Sequence, residues 1–244
     1  MTTSQQDKLV IEYIGKAHTP YPEKFAIPRQ PGIVTAAQGY IELFDQQHAT
    51  QMLNGIEQYS HLWVLFGFHA TQQQGWKPMV RPPRLGGNKK MGVLATRSTF
   101  RPNPIGMSVV KFLKTDNINN KTVIRIQGMD LLDQTPIIDI KPYIPYSDAV
   151  TDATSDFAQS VGTAIQVSFN DQAQSQLSLF DNHYPDLSLL IKQVLSQDPR
   201  PAYKTNQVDN KLYGMALFDL NIQWQMTNMN HAVVINITKS THEN

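Results

Sequence analysis

The most informative absence in the 244-residue sequence is cysteine: there is none. That removes disulfide frameworks, thiolate metal sites and cysteine nucleophiles together. A long apolar run is missing as well. The longest strongly apolar stretch, Leu62 to Phe68, falls far short of the ~20 residues a membrane-spanning helix requires. The first residues, MTTSQQDKLVIEY, are polar and lack the basic-then-apolar pattern of a secretory signal. No glycine-rich turn sits between a strand and a helix, so a dinucleotide-type or Rossmann-type site is not indicated. Gly87 to Gly92 has the glycine spacing of a phosphate loop, but Val93 and Leu94 follow where Lys and Ser/Thr are required. The sequence contains no HExxH, and its seven histidines show no ligand spacing, so no metal is expected. A net charge of +1 singles out no partner class. These absences leave a soluble cytoplasmic protein with no membrane segment as the expectation.

What is present is mostly short apolar runs broken by proline and glycine. Twelve of the 15 prolines precede Ser147, mostly between the runs, where a missing N–H harms no ladder. The runs Leu9–Gly15, Gly39–Phe44, His61–Phe68, Met91–Thr96, Met107–Leu113, Thr122–Gln127 and Ile137–Lys141 are short and rich in β-branched and aromatic residues, which favours strand over helix. One helix is expected over Ala49–Tyr59. Many short strands with little helix between them argue for a sandwich or barrel rather than a doubly wound sheet. From Ser147 to Ser160 the chain turns polar, and a boundary is expected there, dividing 1–150 from 151–244. Beyond it Leu187, Leu190, Ile191, Val194 and Leu195 recur at helical spacing. Tyr213–Met226 and Ala232–Thr238 read as two strands of a hairpin. The second unit is therefore expected to be small and α+β.

Charge is unevenly distributed. Between Gln58 and Thr115 there is no Asp or Glu, against nine basic residues: Lys77, Arg81, Arg84, Lys89, Lys90, Arg97, Arg101, Lys111 and Lys114. Basic residues interleaved with Pro, Gly, Trp76 and Phe100 suit a loop that meets phosphates and a base. A solvated basic face accounts for the same composition. Asp130 and Asp133 lie among Leu131, Leu132 and Ile137 where one strand ends and the next begins. Such carboxylates either cap backbone N–H groups or bind a ligand. His61 and His69 bracket LWVLFGF, and His69, at the strand's end, is the more natural binding side chain. Asp198-Pro-Arg-Pro-Ala-Tyr203 is a stiff loop, either a phosphate contact through Arg200 and Tyr203 or a rigid connector. Asn103-Pro104 is followed by Ile105 and Gly106, not the Pro-aromatic pair of amino-group methyltransferases, and reads as a proline-fixed turn.

Several of these segments, in order, resemble one family. They are Lys24 to Gly32 (KFAIPRQPG), Ser60 to Trp63 with Phe68-His69, Arg81 to Gly87, Ala95 to Gly106 (ATRSTFRPNPIG), Asp130 to Pro136 with Asp139 to Tyr143, and Asp198 to Tyr203. From about residue 8 to the end, the chain is similar to the TsaA-like family, specifically its two-domain, tRNA-methylating members. The resemblance implies a mainly β fold, an antiparallel β-barrel of non-Rossmann type followed by a small α+β domain. It implies S-adenosylmethionine as cofactor, a homodimer, and N6-methylation of N6-threonylcarbamoyladenosine at position 37 in the anticodon stem-loop of tRNA. By motif, Gln30, Pro31, Gly32, His69, Arg97, Met107, Gln127, Gly128, Met129 and Asp130 would contact the cofactor. Asp130 or His69 would serve as general base, unless the substrate's threonyl carboxylate or water takes the proton, with Arg97 also catalytic. Arg81, Arg84, Lys89, Lys90, Arg101, Arg200 and Tyr203 would hold the tRNA. Where this chain has Gln134 the family often has glycine. The alternative is a non-enzymatic RNA-binding or ligand-sensing module on the same scaffold.

Overall fold

The computed structural model describes residues 9–82, 89–156, 164–180, 182–201, 204, 208–209 and 211–240. In chain order the first half forms β1 (Gly15–His18), β2 (Gln38–Leu43), α1 (Ala49–Met52), β3 (His61–Gly67), β4 (Met79–Val80), β5 (Met91–Gly92), β6 (Ile105–Ile118), β7 (Lys121–Gln127), β8 (Pro136–Pro142) and α2 (Pro145–Asp148). Six of these strands pair antiparallel in the order β1-β2-β7-β6-β3-β8, and β8 pairs back to β1, so the sheet closes on itself. Alternation explains the interior. In β3, Leu62, Val64 and Phe66 are buried while His61, Trp63 and Leu65 are partly exposed, and Ile41 and Leu43 alternate in the same way with Tyr40 and Glu42 in β2. The 14-residue β6 serves two neighbours, pairing with β3 over Ile105–Lys111 and with β7 over Lys111–Ile118. A register shift at Leu65/Phe66 in the β3–β8 ladder bends the sheet beside the end of β3.

The second half forms β9 (Gln166–Phe169), α3 (Asp171–Phe180), α4 (Leu187–Ser196), β10 (Tyr213–Leu217), β11 (Leu220–Asn228) and β12 (His231–Lys239). The sheet order is β10-β11-β12-β9, with β9 parallel to β12 and the other pairs antiparallel. The stripe Leu187, Leu190, Ile191, Val194 and Leu195 is buried, as its helical spacing required.

Several expected boundaries moved. The strand expected at Leu9–Gly15 begins only at Gly15; Leu9 and Val10 are 84% and 88% exposed, so their apolar character reflects no packing in the chain. The helix expected over Ala49–Tyr59 stops at Met52, and Gly55, at φ 89°, leads into a separate short turn. Met91–Thr96 is strand only at Met91–Gly92 and then a helical turn. Tyr213–Met226 is two strands, because the chain reverses at Phe218, whose φ is 55°. The short β4 and β9, and α3, were not foreseen. No helix among the described residues is long and apolar enough to cross a membrane.

Candidate active site

The ends of β3 and β6 and the corner after β7 surround one cleft of ≈ 390 Å³. Across the β3–β6 ladder Val64 faces Ser108, Leu65 faces Met107 and Phe66 faces Gly106. Gly106 is required by packing: a Cβ there would collide with the Phe66 ring and lie 2.9 Å from the Phe68 ring. Those rings meet edge to face, 5.4 Å between centroids, and form an apolar wall of the cleft.

Opposite that wall stands Asp130. The corner that carries it turns at Gly128, whose φ of 76° suits glycine. Gly128 N–H donates to the Ala37 carbonyl at 2.8 Å, and Gly32 N–H donates to the Gly128 carbonyl at 2.7 Å. The Pro28–Ala37 loop is thereby tied to the Asp130 corner. The Ser108 hydroxyl donates to Asp130 Oδ1 at 2.6 Å. Burial pushes the Asp130 carboxyl above the ordinary carboxylate range, while the Ser108 hydrogen bond and the Arg97 charge pull the other way. Asp133 has the other role open to a carboxylate in this turn: its Oδ1 accepts the Thr19 N–H at 2.9 Å. Gln134 sits at φ 61°, in the left-handed region that glycine adopts without strain.

A second cleft of ≈ 610 Å³ adjoins the first and shares Arg29, Gln30, Thr96 and Arg97 with it. Lys77, Arg81, Lys90 and Phe100 line it, and no carboxylate does among the described residues. Lys77 Nζ lies 4.5 Å from the centroid of the Phe100 ring. Arg97 stands at the junction, its Nη1 donating to Gln30 Oε1 at 2.6 Å. Arg101 also lines the first cleft and donates to the Thr96 carbonyl at 3.1 Å.

The structure thus brings Gln30, Arg97, Arg101, Met107 and Asp130 together, with Arg81 and Lys90 next door. Pro31 and Gly32 continue the loop from Gln30, and Gln127 Nε2 donates to the Thr35 carbonyl at 2.6 Å, so these residues shape the cleft without lining it. Met129 is fully buried in the core and does not line the cleft. His69 opens a helical turn beyond β3 and is not among the lining residues. Lys89 is exposed but lines neither cleft. Arg84 and Tyr203 lie outside the described residues.

Arg200 is a correction. It is 2% exposed, and Nε and Nη2 reach the two carboxylate oxygens of Asp198, each at 2.7 Å. A buried, bidentate guanidinium braces the loop and presents no face to a phosphate.

Sequence reading missed Ser108, Tyr21 and the Phe66–Phe68 wall. Ser108 had a signal: it is a polar residue at an inward position between Gly106 and Val110, where apolar side chains are the rule. Tyr21 is fully buried, and its hydroxyl has no hydrogen-bond partner among the described residues. Burial raises its pKa, and the charge of Asp130 adds to the effect.

The donor set fits S-adenosylmethionine. A cationic cofactor with a flat base and an amino-acid tail calls for an aromatic wall, a carboxylate and cationic or amide donors. Phe66 and Phe68, Asp130, and Arg97 with Gln30 provide those within one cleft.

Residues 16–149 match the model of the tRNA-methyltransferase O N-terminal domain, and residues 162–240 that of the TrmO C-terminal domain. The chain is 47% identical over 217 residues to the Escherichia coli (strain K12) tRNA (adenine(37)-N6)-methyltransferase, spanning 88% of this chain and 92% of that one. It is 43% identical over 212 residues to a Pseudomonas aeruginosa protein provisionally named as an S-adenosylmethionine-dependent methyltransferase, RcsF, covering 86% of this chain and 90% of the relative. The crystal structure of TrmO from Pseudomonas aeruginosa superposes with a TM-score of 0.79 at 34% identity, covering 96% of this chain and 100% of that one.

Proposed function

The chain belongs to the tRNA-methyltransferase O family, and on that premise we propose that it methylates N6 of N6-threonylcarbamoyladenosine at position 37 of tRNA, with S-adenosylmethionine as donor. The observation that carries this reading is one cleft in which Asp130, held by Ser108, faces the same space as Arg97 and opens onto a basic cleft lined by no carboxylate among the described residues.

The cofactor supplies an electrophilic methyl on a sulfonium. The residues supply position, dryness and a base. Phe66, Phe68, Ile105 and Met107 form apolar walls of the cleft, which favours a step in which charge is lost from the donor. Holding donor and acceptor in line accounts for much of the acceleration. The acceptor nitrogen carries a carbamoyl group, so its lone pair is delocalised and its proton must leave as the new N–C bond forms. Asp130 is the base in this reading: it lines the cleft and His69 does not. With Ser108 on Oδ1, Oδ2 takes the proton, and a carboxyl displaced upward by burial is a stronger base than a solvated one. Arg97 and Arg101 are too basic to take a proton and serve as anchors for the threonyl carboxylate or a tRNA phosphate. Lys77, Arg81 and Lys90 attract the anticodon arm.

Finer points belong to the same proposal. The closed six-stranded sheet is the family's β-barrel, and the two matched segments lie either side of a boundary near residue 150. The exposed apolar residues Leu9 and Val10 suit a homodimer contact, and a tRNA substrate suits a cytoplasmic enzyme. The test is transfer of labelled methyl from S-adenosylmethionine to tRNA with and without the threonylcarbamoyl group. Label should appear only in the modified tRNA, at position 37. Cofactor binding with no transfer to either tRNA would instead identify a sensing module.

A further inference from the structure

The C-terminal half contributes no described residue to either cleft. Yet it holds the loop that carries Gln30, and it does so from α4 and the two residues that follow it. Gln193, on α4, accepts the Ala36 N–H through Oε1 at 2.8 Å and donates through Nε2 to Thr35 Oγ1 at 2.9 Å. Four residues further on, Gln197 Oε1 accepts the Arg29 N–H at 3.4 Å, and the Asp198 carbonyl receives Arg29 Nη2 at 3.3 Å. From the opposite side the same loop is tied to the Asp130 corner through Gly32, Ala37 and the Gln127–Thr35 hydrogen bond.

Ala36 is 5% exposed and lies outside any strand, so its N–H has no ladder partner. Leaving a buried N–H unpaired is costly, and the group that satisfies it here comes from the other half of the chain. The loop's path is therefore set by α4. The same helix end holds Arg29, the neighbour of Gln30, through Gln197 and Asp198, so a loop released from α4 at Ala36 and Thr35 carries Gln30 and its bond to Arg97 with it.

We propose that Gln193 is a positioning residue for the cofactor-binding loop, so that the C-terminal domain sets cofactor affinity from outside the cleft. The proposal rests on reading the Asp130 cleft as the cofactor site. Gln176 is the internal control. On α3 it makes the same kind of clamp, accepting the Ile237 N–H at 2.7 Å and donating to Asn236 Oδ1 at 2.6 Å, and both partners lie in β12.

Equilibrium binding of S-adenosylmethionine to the full chain, by calorimetry, tests this. Gln193→Leu should raise the Kd about tenfold, the scale of one or two lost hydrogen bonds. It should raise KM for the cofactor similarly with kcat little changed, and speed hydrogen exchange at Ala36. Gln193→Glu keeps the acceptor for Ala36 and can accept a hydrogen bond from the Thr35 hydroxyl, so it should return binding most of the way to wild type. Gln176→Leu should lower Tm with Kd unchanged. If Gln193→Leu does not fold, Thr35→Val removes one of the same bonds and should give a smaller rise in Kd. Wild-type binding left unaltered by Gln193→Leu or Thr35→Val overturns the proposal alone. A wild-type chain that binds no cofactor overturns the reading of the cleft, and this proposal with it.

Discussion

Two aspartate–arginine pairs show how one pair of residue types comes to do two different jobs. Asp198 and Arg200 are two residues apart, buried, and locked to each other through two hydrogen bonds of 2.7 Å. Asp130 and Arg97 come from distant parts of the chain and line one cleft, yet each is held by a neutral partner: Asp130 by Ser108 and Arg97 by Gln30. The first pair spends its charges on itself and fixes a loop. The second keeps both charges available to a ligand. Both arginines sit in loops of the sequence, and what separates them is the nearest carboxylate.

Substitutions should split along that line. The largest expected effect is Asp130→Asn, which removes the base and should lower kcat by about 10²- to 10⁴-fold with the fold intact. In the wild type the acid limb of the rate should fall as pH drops through a pKa above the ordinary carboxylate range, because only the ionised form accepts the proton. Stability should move the opposite way. A raised folded-state pKa favours the protonated form, so this contribution is full at low pH and is lost as pH rises through that pKa. Thermal melts across pH should show the loss in the wild type and not in Asp130→Asn.

Next is Arg200→Ala, which leaves Asp198 buried without its partner and should cost about 3–5 kcal/mol of stability by denaturant titration. At temperatures where that variant is folded, its kcat should match wild type, the reverse of Asp130→Asn. Arg97→Ala should reduce kcat/KM by about 10- to 100-fold, the scale of a lost charge-assisted interaction of ~1.5–3 kcal/mol, with an unchanged melting temperature. Near-normal turnover would remove Arg97 from the site. Smallest is charge reversal at Lys89 and Lys90. It should weaken tRNA binding and flatten the salt dependence by about one unit of slope for each phosphate no longer neutralised. Lys90 lines the basic cleft and Lys89 does not, so the single Lys90 variant should carry most of the change.

Legibility in the sequence divides in a similar way, between what a period records and what only the fold brings together. β2, β3 and the buried stripe of α4 were legible because burial recurs with a fixed period, and sequence records that period directly. Leu9 and Val10 misled because apolar composition does not say whether a partner surface lies within the chain. Tyr213–Met226 misled because burial alternates on both sides of the reversal, with only a one-residue change of phase to mark it, and the turn at Phe218 carries no glycine or proline. At the site, Asp130 and Arg97 stood out by composition and by family motif. Ser108 did not, since its importance comes from a register that sets Val64 opposite it in the ladder and from a fold that brings Asp130 to its hydroxyl. Arg200 was misassigned because a partner two residues away in sequence captures it only when the Asp198 backbone turns to φ 48°.

The most direct test of the account is where the cofactor lies. Ultraviolet cross-linking of labelled S-adenosylmethionine to the wild-type chain, followed by peptide mapping, should place the label in peptides containing Gln30, Phe68 or Met107. Substitution of Asp130 by Asn should leave that pattern in place while transfer to tRNA fails. Label confined to the β9–β12 sheet or its helices would contradict it.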